Sequence, residues 1–310
     1  MSFDLRQLRY FVAVAEECHF GRAALRLSMT QPPLSQQIRA LEEALGAALF
    51  LRTKRSVELT PVGRDLLPEV RRLLAAADGL QPMAQSLARG EVGVLSLAFV
   101  STADYGVLPP LLQRFGECYP GVRLQLSEAT SDVQFEELWA GRVDAGLIIP
   151  PVPARFASQL AYLPLAREPL VVAMSEAQAR LLGGAENAAV TLSEIADAPL
   201  IVFPRRLAPA FYDLIMDCFS AAGMTPRIGQ DAIQMQTIVS LVSAGMGIAL
   251  VPQSLRNLRR TGVVYRPLAA ALPVVETGLV WRAAETGPVL QGFIATARAY
   301  AQERLVTAGA

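Results

Sequence analysis

The chain has 310 residues, more than one compact domain usually needs, so two or three units are expected. Hydrophobic residues make up 52% and charged residues 18%, which excludes a disordered chain, and no apolar run approaches the roughly 20 residues of a membrane helix. The formal net charge of zero excludes a uniformly basic nucleic-acid binder, but from His19 to Arg64 seven arginines and lysines stand against three glutamates, a local basic footprint.

Leu5, Leu8, Val12 and Ala15 recur at helical spacing behind Asp4, so a helix over Leu5–Glu17 with Asp4 as its cap is expected. A short helix follows over Arg22–Leu27, with a turn at Ser28 and Met29. Thr30 is expected to cap a third helix, whose first turn holds Pro32 and Pro33, where the missing N–H groups have no helical partner anyway. Leu34, Ile38, Leu41 and Leu45 form the inner stripe of that helix, and Gln31, Ser35 and Arg39, with Gln36 beside them, face outward. Gly46 ends it. Leu49–Leu51 and Val57–Leu59 read as a ribbon with Thr53, Lys54, Arg55 and Ser56 at its tip. Three helices and a basic hairpin describe a winged helix-turn-helix, whose second motif helix enters the major groove while the wing reaches the backbone or minor groove.

Thr60 and Pro61 open a long helix. Leu66, Val70, Leu73, Ala77, Leu80, Ala84 and Leu87 alternate spacings of four and three along it, a heptad seam that implies a partner helix. Pro68 and Pro82 interrupt the donor ladder, and Pro82 is expected to end the regular helix. From Gly93 short apolar runs alternate with helical stretches: Val94–Val100, Leu108–Glu117, Val122–Leu126, Val133–Ala140 and Ala145–Ile149, then Leu170–Met174, Leu200–Phe203, Ala210–Ala222, Met235–Ala244 and Ile248–Val251. Two batches of this kind give an α/β fold of two lobes with a cleft between them, where ligands favour the carboxyl ends of strands. The expected division is a winged helix-turn-helix over 1–60, a linker and dimerisation helix over 61–91, and an effector-binding domain over 92–310. Lobe I covers about 92–165 and 270–305, and lobe II about 166–269.

Cys18, Cys118 and Cys218 are odd in number and far apart, so neither a disulfide framework nor a zinc site is indicated; reduced thiols are expected. The N-terminus sets Asp4, Arg6 and Arg9 among its apolar residues, unlike a signal peptide, so a cytoplasmic protein is expected. An enzyme has little to stand on: His19 is the lone histidine, and no nucleophile elbow, phosphate loop or metal motif is present. A solute-binding protein fits the α/β lobes alone, but the N-terminal winged helix decides against it.

The runs Leu8-Arg9-Tyr10-Phe11, Ala23-Ala24, Thr30-Gln31-Pro32-Pro33-Leu34-Ser35-Gln36-Gln37-Ile38 and Leu59-Thr60-Pro61-Val62-Gly63 together resemble the N-terminal signature of LysR-type transcriptional regulators. Tyr119-Pro120-Gly121-Val122, Leu138-Trp139-Ala140-Gly141-Arg142-Val143-Asp144 and Val242 to Pro252 extend the resemblance over nearly the whole chain. The resemblance implies a sensor similar to periplasmic binding proteins, a homotetramer built as a dimer of dimers on an interrupted inverted repeat of double-stranded DNA, RNA polymerase as a further partner, and no membrane. It implies no cofactor, only a small organic effector. Arg22, Thr30, Gln31, Pro32, Pro33, Ser35, Gln36, Arg39, Arg52, Lys54 and Arg55 are the expected DNA-binding residues, since polar forks read base edges and guanidinium groups bind phosphate or guanine.

The stretch from Phe99 to Pro109 resembles the branch answering to benzoate, muconate and related aromatic catabolites. It implies effector contacts at Ser101, Thr102, Ala103, Thr130, Phe203, Pro204 and Gln236, with Leu147 and Ile149 as an apolar wall. Muconate-responsive members carry an arginine where this chain has Ile149; Arg205, with Arg206, is the candidate replacement for that charge. Ser101 and Thr102 also suit a helix N-terminus after a strand, and a site of that kind accepts anions.

Overall fold

A computed structural model describes residues 3–53, 56–185, 187–269 and 274–308, with side chains up to 304 in the last helix. The chain divides into two compact units, Met1–Gln85 and Ser86–Ala310.

In the first unit α1 (Leu5–Glu17) starts at Asp4, which forms a capping box with Gln7. The next helix, α2 (Phe20–Arg26), begins earlier than its spacing suggested, because the His19 side chain is its cap: Nδ1 accepts from the N–H groups of Gly21 at 3.0 Å and Arg22 at 3.2 Å. α3 (Gln31–Leu45) buries Leu34, Ile38 and Leu41 completely, each such side chain contributing about 1.5–3 kcal/mol. Thr30 stands at the N-cap with the extended backbone of that position, as expected, but its hydroxyl makes no capping hydrogen bond. The wing pairs β1 (Phe50–Arg52) with β2 (Val57–Leu59) antiparallel, Phe50 opposite Leu59. Phe50 packs against Phe11 and Phe20, closing the core over both the helices and the ribbon.

α4 (Pro61–Ala88) is capped by Thr60, whose hydroxyl accepts from Gly63 N–H at 2.9 Å and donates to Ala48 at 2.8 Å. Contrary to expectation the helix runs through Pro68 and Pro82 alike. Both prolines lie on its exposed side, where water satisfies the carbonyls they free. Val70, counted in the seam, is buried in the winged-helix core together with Leu74, whereas Leu73, Leu80, Met83 and Leu87 are exposed.

In the second unit β3 (Val92–Phe99), α5 (Leu108–Cys118), β4 (Gly121–Glu128), α6 (Ser131–Trp139) and β5 (Ala145–Ile148) form a parallel α/β half, β4 and β5 flanking β3 on opposite sides. β6 (Leu160–Ser175) is much longer than expected. After it come α7 (Glu176–Leu182), β7 (Leu200–Val202), α8 (Pro209–Ala221), β8 (Ile228–Asp231), α9 (Met235–Ser243), β9 (Ala249–Pro252), β10 (Val263–Pro267), β11 (Val274–Arg282) and α10 (Pro288–Ala308). The main sheet runs β10-β6-β11-β5-β3-β4, with β9 also on β6. β6 belongs to both lobes: it pairs with β11 from Leu160 to Pro169 and with β9 from Leu170 onward. Each lobe has its own core, one around Leu97, Leu111, Phe115 and Phe293, the other around Val172, Val202, Phe219 and Val239.

Candidate functional site

The inner stripe of α3 docks on α1 and α2, so its spacing forces Gln31, Pro32, Pro33, Gln36 and Arg39 to the surface, with Ser35 half-buried among them. Arg39 has no acidic partner among the described residues, leaving its guanidinium available. Thr30 is exposed at the same end. Arg22 and Arg52 are placed differently. Arg22 reaches back to Glu17, to both its carbonyl and its carboxylate. Arg52 is held by Glu42 at 2.7 Å and lies over the ring of Phe20, 4.9 Å from its centre. Glu42 also accepts from the N–H groups of Leu49 and Phe50, so this ion pair fixes the angle between recognition helix and wing. Lys54 and Arg55 lie outside the described residues.

In the second unit a cleft of about 690 Å³ opens at the carboxyl ends of β3, β4 and β5 and is closed from the other side by the loop after β7 and the starts of α8 and α9. Ser101, Thr102, Thr130, Ile149 and Phe203 line it, as expected. Thr102 is 3% exposed and its hydroxyl has no hydrogen-bond partner among the described residues. The other expected residues lie elsewhere. Ala103 and Leu147 are buried in the lobe I core; Leu147 is enclosed because its strand is flanked by β3 and β11, whereas Ile149 emerges beyond the strand end. Pro204 is buried outside the lining, and Gln236 is not part of it either. Arg205 is not in the lining but pairs with Asp213, which is, at 2.7 Å, and pulls the pKa of that carboxyl below its ordinary value.

Several lining residues escaped the sequence reading: Glu128, Arg155, Leu207, Ile233 and Gln234. The rule that ligands sit at strand carboxyl ends points directly at Glu128, the last residue of β4. Partial burial, then the nearby Asp104, raise the pKa of Glu128. Arg155 is engaged, paired with Glu136 at 2.7 Å and stacked on Phe156.

Residues 5–64 match the family model "Bacterial regulatory helix-turn-helix protein, lysR family", and residues 88–302 match "LysR substrate binding domain". The chain belongs to the LysR family. This LysR chain is 56% identical over 291 residues to the transcriptional regulator IlvR of Caulobacter vibrioides, covering 94% of this chain and 96% of that protein. Against AlsR of Bacillus subtilis the identity is 39% over 293 residues, 94% of each. Among solved structures, full-length CbnR complexed with its target DNA superposes with a TM-score of 0.81 at 30% identity, over 96% of this chain and 100% of that one. Full-length BenM gives 0.57 at 31%, over 97% and 98%. The LysR chain is therefore a DNA-binding transcriptional regulator with a substrate-binding domain for a small-molecule effector, and not an enzyme.

Proposed function

We propose that this regulator, acting in the cytoplasm as a dimer of dimers, reads an interrupted inverted repeat through Thr30, Gln31, Pro32, Pro33, Ser35, Gln36 and Arg39, with the wing and its Lys54 and Arg55 on the phosphates. A small organic acid in the cleft switches it, and RNA polymerase is the partner that receives the outcome. The working division is 1–60 for DNA, 61–91 for pairing and 92–310 for sensing. Likeness to CbnR and BenM at 30% and 31% identity supports placing the sensor near the benzoate and muconate branch. The observation that carries the effector reading is the buried, unpartnered Thr102 hydroxyl in a roomy cleft at strand carboxyl ends. A buried hydroxyl without a partner costs about 1–3 kcal/mol, a cost that an acceptor from a bound acid removes.

The test combines calorimetry with a promoter assay on Ser101→Ala with Thr102→Val. Loss of acid binding and of promoter response together is the expected result. Native affinity in the double variant would move the site elsewhere. DNA binding is checked separately by retardation of the regulator's own upstream region, which weakens as salt rises.

A further inference from the structure

We infer that the acid held in the cleft also carries an ammonium group, so that the effector is a zwitterion, an α-amino acid with an apolar side chain, its ammonium held by Glu128. The inference rests on the cleft being the effector site and narrows the class of acid.

The lining carries two opposed electrostatic demands. Three helices, α6, α8 and α9, start at the cleft, at Thr130, Ala208 and Gln234, and none has a side-chain cap. Their N–H groups and dipoles favour negative charge. The unpartnered Thr102 hydroxyl, with Ser101 and Thr130 beside it, points to the same end of a ligand. Yet the charged lining is Glu128, Asp132 and Asp213 against Arg155 alone.

Three of those four charged groups are accounted for within the fold. Asp213 neutralises Arg205, Arg155 is paired with Glu136, and Asp132 sits in the first turn of α6, where a carboxylate offsets the helix dipole. Glu128 is left over. Its nearest polar contact is the Gln234 side-chain amide, at 3.5 Å and across the cleft in the other lobe, and among the described residues it has no cation within ion-pair range. A carboxylate facing helix N-termini across an open cleft repels a simple dicarboxylate or a benzoate, which gains nothing from it. A ligand with a carboxylate toward Thr102 and an ammonium toward Glu128 satisfies both ends, since an opposite charge favours the ionised form of each. Phe135, Ile149, Phe203, Leu207 and Ile233 supply apolar wall for the remainder. Because Glu128 belongs to lobe I and Gln234 to lobe II, the ammonium end is also where the lobes come together.

The experiment is calorimetry on the full-length protein with L-leucine and L-phenylalanine, each beside its deaminated counterpart, 4-methylpentanoate and 3-phenylpropanoate, with benzoate as reference. At least one amino acid is expected to bind about tenfold or more tighter than its counterpart and than benzoate. Glu128→Gln should abolish that gap by weakening the amino acid and, with the repulsion gone, leaving the counterpart as tight as before or tighter, while Thr102→Val weakens both. Equal or tighter binding of the deaminated acids, or a gap that survives Glu128→Gln, overturns the inference; if that binding still depends on Thr102, the cleft remains the effector site. Absence of binding by every probe, or binding indifferent to both substitutions, overturns the inference and the cleft reading together.

Discussion

Arg39 and Ser35 lie one turn apart on the outward side of α3, and nothing among the described residues uses the Arg39 guanidinium. A side chain free in the protein and fixed by a rigid helix is suited to a base edge or a phosphate. Arg39→Ala should therefore weaken operator binding by about 1–3 kcal/mol with the melting temperature unchanged. A mobility shift reads the first and thermal denaturation the second; unaltered affinity contradicts the assignment. These positions were legible because helical spacing alone decides which side chains face out once Leu34, Ile38 and Leu41 face in. Arg22 and Arg52 were less legible, since their engagement depends on Glu17 and Glu42, and Glu42 sits ten residues before Arg52. The cleft was half legible for a related reason. Ser101, Thr102, Thr130, Ile149 and Phe203 follow strand ends, which patterning reveals, whereas the exclusion of Leu147 and the presence of Gln234 depend on where each strand stops and what flanks it.

At the scale of elements, α4 presents Leu73, Leu80, Met83 and Leu87 to solvent on the single chain, Leu80 at 64% exposure. A row of leucines at heptad spacing is an association surface. Leu80→Glu is expected to shift sedimentation at micromolar concentration from a dimer or tetramer toward a smaller species, with the winged-helix core intact because Leu80 is not part of it. A parent that is already monomeric, or a variant that assembles unchanged, counts against the seam. Two seam positions are drawn to the winged-helix core: Val70 fits both heptad spacing and that core, and the core takes it, while Leu66 packs half-buried against it. β6 was expected only over its second half, Leu170–Met174; its first half holds Pro164 and Pro169, and a register shift between Thr277 and Gly278 accommodates the pairing near Pro164. α10 carried a readable signal, Leu290, Phe293, Ala297 and Tyr300 at spacings of three and four, that was not taken up.

Over the whole molecule, the two lobes and a chain crossing between them near 165 and 270 were expected, but the pairing of β6 with β11 was not, since these strands pair across more than a hundred residues that no local pattern links. Glu168, one residue before the point where β6 changes partners, accepts from Ser254 N–H at 2.6 Å and from its hydroxyl at 3.0 Å. Burial outweighs these bonds and raises its pKa above the ordinary 4.5. The native chain thus keeps a proton that the unfolded chain has released, so stability falls as pH rises from 4.5 through the raised value and then levels off. Glu168→Gln lacks this titration and should gain stability relative to the parent across the same window. Urea denaturation followed by tryptophan fluorescence reports it, because Trp139 and Trp281 both belong to the second unit; parallel pH curves would contradict it. The unbroken run of β6 has a mechanical consequence. A strand hydrogen-bonded on both sides of the handover at Pro169 and Leu170 is held straighter than a free linker, so along β6 a twist between the lobes is expected before a jaw-like opening. An effector that draws the cleft together is then expected to be felt beyond the sensor as a change of angle.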